Sequence, residues 1–297
     1  MKMTYERIDD YDCGRGNLLL RAKLWIIETR KAFVKETLNN QFFARHPTHQ
    51  CFIRVIALFL MTEKVSRFND DSSSVILQAA ALCVGNKYKG GDQFMTGDAF
   101  QIEQNLWTLY VARELGGGLS QNDWAELLSR CFGAITSEPN KSRVLCLMLW
   151  LFPELATGDR IKTVEDVVNE NLGLLFPPTW CAQDLMLFWL ICVRYGKQEK
   201  VRDIEAQLRR LQSDSGAFST EEGKDGGNVI FSAIGLLSII SCAGRNYLEG
   251  SNIEAAQKAA CWILERLAAN QDVDVLSRAW SVYALCEYIA FFRVQYN

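Results

Sequence analysis

The chain has 297 residues, 49% of them hydrophobic and 23% charged, a balance that can fill one large globular core. Its formal net charge of −3 gives no electrostatic grip on nucleic acid or an acidic membrane. Ten scattered cysteines without a CxxC, and only two histidines, His46 and His49, argue against a zinc site and fit buried free thiols in a reducing, cytoplasmic setting.

Read from the N-terminus, residues 1–12 are charged and lack an apolar core, so no signal peptide is expected. Only five prolines interrupt the chain, and apolar residues recur at three and four, the helical period. Twelve helices are expected, at 17–38, 47–63, 72–86, 98–115, 121–135, 140–152, 162–175, 178–195, 199–212, 226–243, 252–269 and 273–293. No strand-like alternation stands out. The stretches 22–37, 123–132, 201–211 and 255–267 are charged on one face and bury the other. The stretches 144–152, 185–193 and 229–240 are apolar nearly all round and have to be covered on every side, yet they fall short of the ~20 residues that a membrane span needs.

The two kinds of helix alternate along the C-terminal two-thirds of the chain, which suits buried inner helices wrapped by outer ones. Inner helices would start near 47, 98, 140, 178, 226 and 273, an irregular repeat of between 38 and 51 residues. Six outer–inner pairs would close one barrel, an α/α toroid over residues 1–297, with no Pro-, Gly- or Ser-rich linker dividing it. The helix at 72–86 is nearly as apolar as an inner one, which leaves the order of the first third open. The run Gly116-Gly117-Gly118 reads as a helix stop, and neither a phosphate loop nor a Gly-x-Ser-x-Gly elbow occurs.

One segment carries a family signal. Leu211, Gln212, Gly216 and Phe218, in the order L-Q-x-x-x-G-x-F before an apolar helix, resemble the repeat that joins outer to inner helices in prenyltransferase and squalene–hopene-type cyclase toroids. Residues 88–94 are a weaker copy, and 267–272 a third without the glycine. The length is similar to that of a single-domain class II terpene cyclase. That resemblance implies an apolar central cavity, a desolvated aspartic acid that protonates an alkene or epoxide, and aromatic walls that hold the cation. It implies a hydrophobic isoprenoid or meroterpenoid substrate and no cofactor, with magnesium only where the substrate is a diphosphate. Contact with a membrane would be transient.

The family acid lies in a D-x-D-D motif at the start of an inner helix, and no intact copy is present. Aligning Trp107 and Leu109 with the W-x-L after that motif sets Asp98 on its first aspartate and Phe100 on the acid position. Glu103 lies one turn on, on the face of Phe100, Trp107 and Tyr110, where it could take over as the acid. Alternatively, Asp98 is a helix cap and Glu103 a solvated first-turn residue. Asp70, followed by Asp71 and Ser72, matches the end of the motif but opens an outer helix, where capping accounts for it equally. Asp272 and Asp274 match a motif without its last aspartate, and the residues downstream of them are out of register with it.

Two charges interrupt apolar helices: Asp184 beside Leu185, and Arg54 between Ile53 and Val55. They form a structural pair, Arg54 snorkels, or they meet the substrate, Asp184 as a cavity acid or Arg54 as the clamp on an acidic group. Trp107, Tyr110, Trp180, Phe188, Trp280 and Tyr283 are the aromatics expected at the substrate. The expected activity is protonation-initiated cyclisation of an oligoprenyl chain. A toroid that only binds a protein, a peptide or an isoprenoid is the alternative, and a sugar-cleaving toroid ranks last.

Overall fold

A computed structural model describes residues 15–38, 49–66, 71–84, 99–116, 119–136, 142–172, 180–196, 198–219, 227–245, 250–269 and 273–296. The protein is all-α. Its helices are α1 (Arg15–Leu38), α2 (His49–Ser66), α3 (Asp71–Val84), α4 (Ala99–Glu114), α5 (Gln121–Thr136) and α6 (Ser142–Leu151). After a 3-10 turn at Pro153–Leu155 come α7 (Gly158–Leu172), α8 (Trp180–Tyr195), α9 (Gln198–Leu211), α10 (Val229–Arg245), α11 (Gly250–Ala269) and α12 (Val275–Tyr296). The helix expected at 162 starts earlier, because the Thr157 carbonyl accepts from the Ile161 N–H at 2.9 Å, a full turn ahead.

Helix ends follow local chemistry. Ser120 and Asp123 exchange backbone N–H for side-chain oxygen, each at 3.2 Å, and so start α5. The Asn228 side-chain oxygen accepts from the N–H groups of Ile230 and Phe231 and starts α10. Gly116, at φ 76°, closes α4 with its N–H on the Arg113 carbonyl.

The even-numbered helices pack in a closed series: α2 on α4, α4 on α6, α6 on α8, α8 on α10, α10 on α12, and α12 back on α2. Each odd-numbered helix packs on one or two members of that series. α3 touches α2 and α4, α7 touches α6 and α8, α9 touches α8 and α10, and α11 touches α10 and α12. The apolar α3 shows Leu77 to solvent at 46% exposure, and its contacts set it beside the series rather than in it. On α6, every residue from Val144 to Leu151 is buried, whereas α5 buries only the stripe of Trp124, Leu127, Leu128, Cys131, Phe132 and Ile135.

The segment after α9 ties these elements together. Ser213 N–H bonds the Ala217 carbonyl and Ser219 N–H the Leu211 carbonyl, so the chain folds back on itself over Gly216. The Gln212 side-chain amide donates to the Gly216 carbonyl at 3.2 Å and to the Ala255 carbonyl of α11 at 2.8 Å. Phe218, fully buried, lies against Gly235 of α10, where a Cβ would come within 2.5 Å of its ring. Gly216 has φ +95° and faces the Lys258 carbonyl, which a Cβ would approach to 2.3 Å. Of the two weaker copies, 88–94 lies outside the described residues, and 267–272 does so beyond Ala269.

Gly216→Ala combines a left-handed backbone with a clash against main chain, so it should destabilise the fold by about 2 kcal/mol or more. Gly133→Ala, whose Cβ meets nothing within 4 Å, should be neutral or slightly stabilising. Urea unfolding of the two variants reads both, and equal midpoints would contradict the loop geometry.

Candidate functional site

Helical spacing carries one line of side chains down each member of the series. On α4 the line is Glu103, Trp107, Tyr110 and Glu114. On α6 it is Arg143, Leu147 and Trp150, and on α12 it is Leu276, Trp280, Tyr283 and Glu287. These lines meet. Trp150 stacks on Trp280 with ring centres 4.9 Å apart and planes 21° apart. Trp107 and Tyr283 set their edges to Trp150 at 5.8 and 6.0 Å.

Trp107 and Trp280 of this cluster also line a small pocket with a cavity volume of about 60 Å³. Among the described residues its wall is Trp107, Leu147, Leu187, Ile230, Ile234, Leu276 and Trp280, and its charged edge is Arg54, Glu103 and Arg143. Arg143, Ile230 and Leu276 each lie in the first turn of their helix, so the pocket faces helix N-termini, where backbone N–H groups leave partial positive charge.

Glu103 is 6% exposed and sits between two guanidinium groups. Arg54 Nη2 lies 3.2 Å from Oε1, and Arg143 Nε lies 3.1 Å from Oε2. Arg143 Nη2 also donates to Oε1 at 3.3 Å. One carboxylate thus joins α2, α4 and α6. A charge buried to this depth is tolerated when it is paired and hydrogen-bonded.

The other end of the lines is polar. Tyr283 donates to Glu287 at 2.8 Å, Arg194 of α8 lies 3.6 Å from the same carboxylate, and Lys64 pairs with Glu114 at 2.6 Å. Arg113 pairs with Glu154 and lies over the Phe152 ring. Burial pushes the phenols of Tyr110 and Tyr283 well above their ordinary value, with Glu114 adding to the first; at the second, Arg194 opposes the shift and Glu287 adds to it. Burial likewise pushes the Cys286 thiol up to about 12, so it stays protonated and unreactive.

The structure brings Arg54, Glu103, Trp107 and Trp280 together. Tyr110 and Tyr283 lie deeper, and Phe188 is buried off the wall. Arg54 pairs with Glu103. Glu103 is buried, not the solvated first-turn residue of the simpler expectation. Asp274 is exposed and caps α12, with Oδ1 accepting from the N–H groups of Leu276 and Ser277 at 3.0 Å and Oδ2 from the Ser277 hydroxyl. Asp98 and Asp70 lie outside the described residues, as do the side chains of Trp180 and Asp184. Sequence reasoning missed Arg143, which opens an otherwise apolar helix and reads as a solvated end. It missed the Leu and Ile members of the wall, which carry no chemical mark.

Among the described residues no group of His, Cys, Asp and Glu could hold a metal ion, and no helix is long and apolar enough to cross a membrane. Comparison with known proteins finds no matching family model, no matching curated protein and no matching solved structure.

A raised phenol stabilises the fold fully below the unfolded value near 10, and that contribution is lost as pH climbs past it toward the folded value. Stability should therefore fall above roughly pH 10. Tyr110→Phe removes one of these groups, so its urea midpoint should fall less between pH 9 and 11 than that of the parent; parallel curves would contradict the burial of this phenol.

Proposed function

We propose that the protein is an α/α toroid, with even-numbered helices as the inner ring and odd-numbered helices as the outer ring, and that it binds an isoprenoid-type ligand in the Arg54–Trp280 pocket without protonating it. The closed series of helix contacts supports the ring, as does the Gln212 loop that links α9 to α11 and α10. The pocket supports the ligand class. Its wall is branched aliphatic side chains and two indoles, surfaces that suit a branched, unsaturated hydrocarbon and offer it few directional contacts.

The observation that carries the non-catalytic half is the state of Glu103. Both its oxygens are held in ion pairs, on a pocket edge with two guanidinium groups. An acid that protonates an alkene has to be neutral, dry and free to hand over its proton. Both Glu103 oxygens are already engaged by guanidinium groups, so neither is presented to a substrate in the pocket. Asp274 is likewise committed to its own helix and is open to water.

A second reading is a class II terpene or meroterpenoid cyclase with Asp98 as its acid. It is favoured by the faces of Trp107 and Trp280, which would stabilise a passing carbocation. Product analysis separates the two. The purified protein is incubated, with and without EDTA, with geranylgeranyl diphosphate, squalene and a prenylated aromatic acid, while geranylgeraniol is titrated against tryptophan fluorescence. The binding reading expects a saturable fluorescence change and full recovery of every compound unaltered. A cyclic isomer of unchanged mass formed in EDTA, and lost in Asp98→Asn, would overturn it in favour of the cyclase. Neither binding nor turnover would overturn both.

A further inference from the structure

We infer that the outer face of α1 and α3 docks the protein reversibly on an anionic lipid surface, with Leu20 and Leu24 entering the headgroup boundary and the lysines of α1 meeting lipid phosphates. The inference does not depend on what the pocket holds. Among the described residues, α5, α7, α9 and α11 face water with charges of both signs and expose no large apolar side chain. α1 and α3 break that pattern. Leu20 and Leu24 are each 55% exposed, and Leu77 of α3 is exposed as well. α3 carries no charge after Asp71, and its other exposed residues among those described are Ser74, Gln78 and Ala81. The apolar run that left the order of the first third open is thus apolar toward water too.

The two faces are neighbours. α1 packs on α3, and Arg30 of α1 donates to the Ser73 hydroxyl at 3.5 Å. The inward side of α1 is Leu18, Ala22, Ile26, Arg30 and Phe33, all buried. Helical spacing puts Leu20, Leu24, Lys31 and Lys35 on the opposite side, leucines first and lysines last, with Lys23 on its flank. These three lysines are exposed and make no hydrogen bond or ion pair among the described residues. Glu28 is the one exposed carboxylate among the described side chains of α1.

The formal charge of −3 conceals a division. Residues 15–38 carry six basic and two acidic side chains, a net +4, so the rest of the chain carries −7. An anionic plane attracts α1 and repels the remainder, which turns this face toward the lipid. Composition favours a bilayer over a protein. Protein interfaces are rich in aromatic residues, Met and Arg and poor in Lys, and their hot spots seldom use Leu. A helix lying in a membrane interface combines leucines, which bury, with lysines, whose long stems carry the ammonium back to the phosphates.

The test is co-sedimentation of the full chain with phosphatidylcholine vesicles, with and without phosphatidylserine, at low and high salt. Each lysine near an anionic surface is worth about fivefold in partitioning, so the parent should bind the vesicles with phosphatidylserine roughly a hundredfold tighter and lose that gain at high salt. Replacing all three lysines, Lys23→Gln, Lys31→Gln and Lys35→Gln, should bring binding down to about the level on neutral vesicles. Leu20→Ser with Leu24→Ser should weaken binding to both kinds of vesicle by about tenfold or more. Arg202→Gln with Arg210→Gln, which removes two exposed cations of α9, should bind as the parent does. All these side chains are exposed, so urea midpoints should match the parent's and show that each variant is folded. Failure of the parent to bind anionic vesicles, or unchanged binding by the lysine or the leucine variant, would overturn the inference. A parent that ignores vesicles and is a dimer in sedimentation equilibrium, dissociated by the leucine variant, would overturn it in favour of a second copy of the chain. A monomer that ignores vesicles would overturn it in favour of an acidic protein.

Discussion

A ring of six helices leaves a hole that only large side chains can close. Neighbouring helix axes sit about 8–10 Å apart, so opposite axes in a hexagon lie about 16–20 Å apart. Taking off a backbone radius of about 2.3 Å on each side leaves about 11–15 Å for side chains. Two leucines cannot meet across that gap, and an empty bore would forfeit the dispersion contacts of everything that lines it. In the proposed toroid α6 and α12 stand opposite each other, and their indoles, Trp150 and Trp280, stack across the axis. Trp107 and Tyr283 close in edge-on from the flanks. That aromatic layer divides the interior into a polar end and a pocket.

The two ends then differ because the helices point their dipoles the same way at the pocket. Arg143, Ile230 and Leu276 open their helices at its rim, while Arg194 and Glu114 sit at the far ends of α8 and α4, and Arg194 pairs there with Glu287 of α12. At the rim, Glu103 pairs with the buried Arg54 and the partly exposed Arg143, and in doing so it links α2, α4 and α6.

Much of the helix pattern was legible in the sequence, because a 3.6-residue period shows directly where a helix runs and whether one face or all faces are apolar. The alternation of charged and apolar helices reads as the two sets seen in α5 and α6. Gln212, Gly216 and Phe218 were legible for a sharper reason: each does something no other residue type does as well, bridging two carbonyls, taking positive φ and filling the space over Gly235. The site was half legible. Trp107, Trp280, Glu103 and Arg54 stand out as aromatics and charges on apolar helices. Arg143 does not, since a charged residue at a helix start is ordinary. Which partner Arg54 takes depends on the neighbour of α2 in space, and no local pattern encodes that.

The stacking of Trp150 on Trp280 is the contact that a ring with a filled bore requires and that an open or differently ordered bundle would lack. A double-mutant cycle with Trp150→Leu, Trp280→Leu and the pair, read by urea unfolding, measures it directly. A coupling of about 0.5–1.5 kcal/mol is expected for two stacked indoles across the axis. Additive losses, within about 0.3 kcal/mol, would mean that the two rings do not touch and that the bore is not closed in this way.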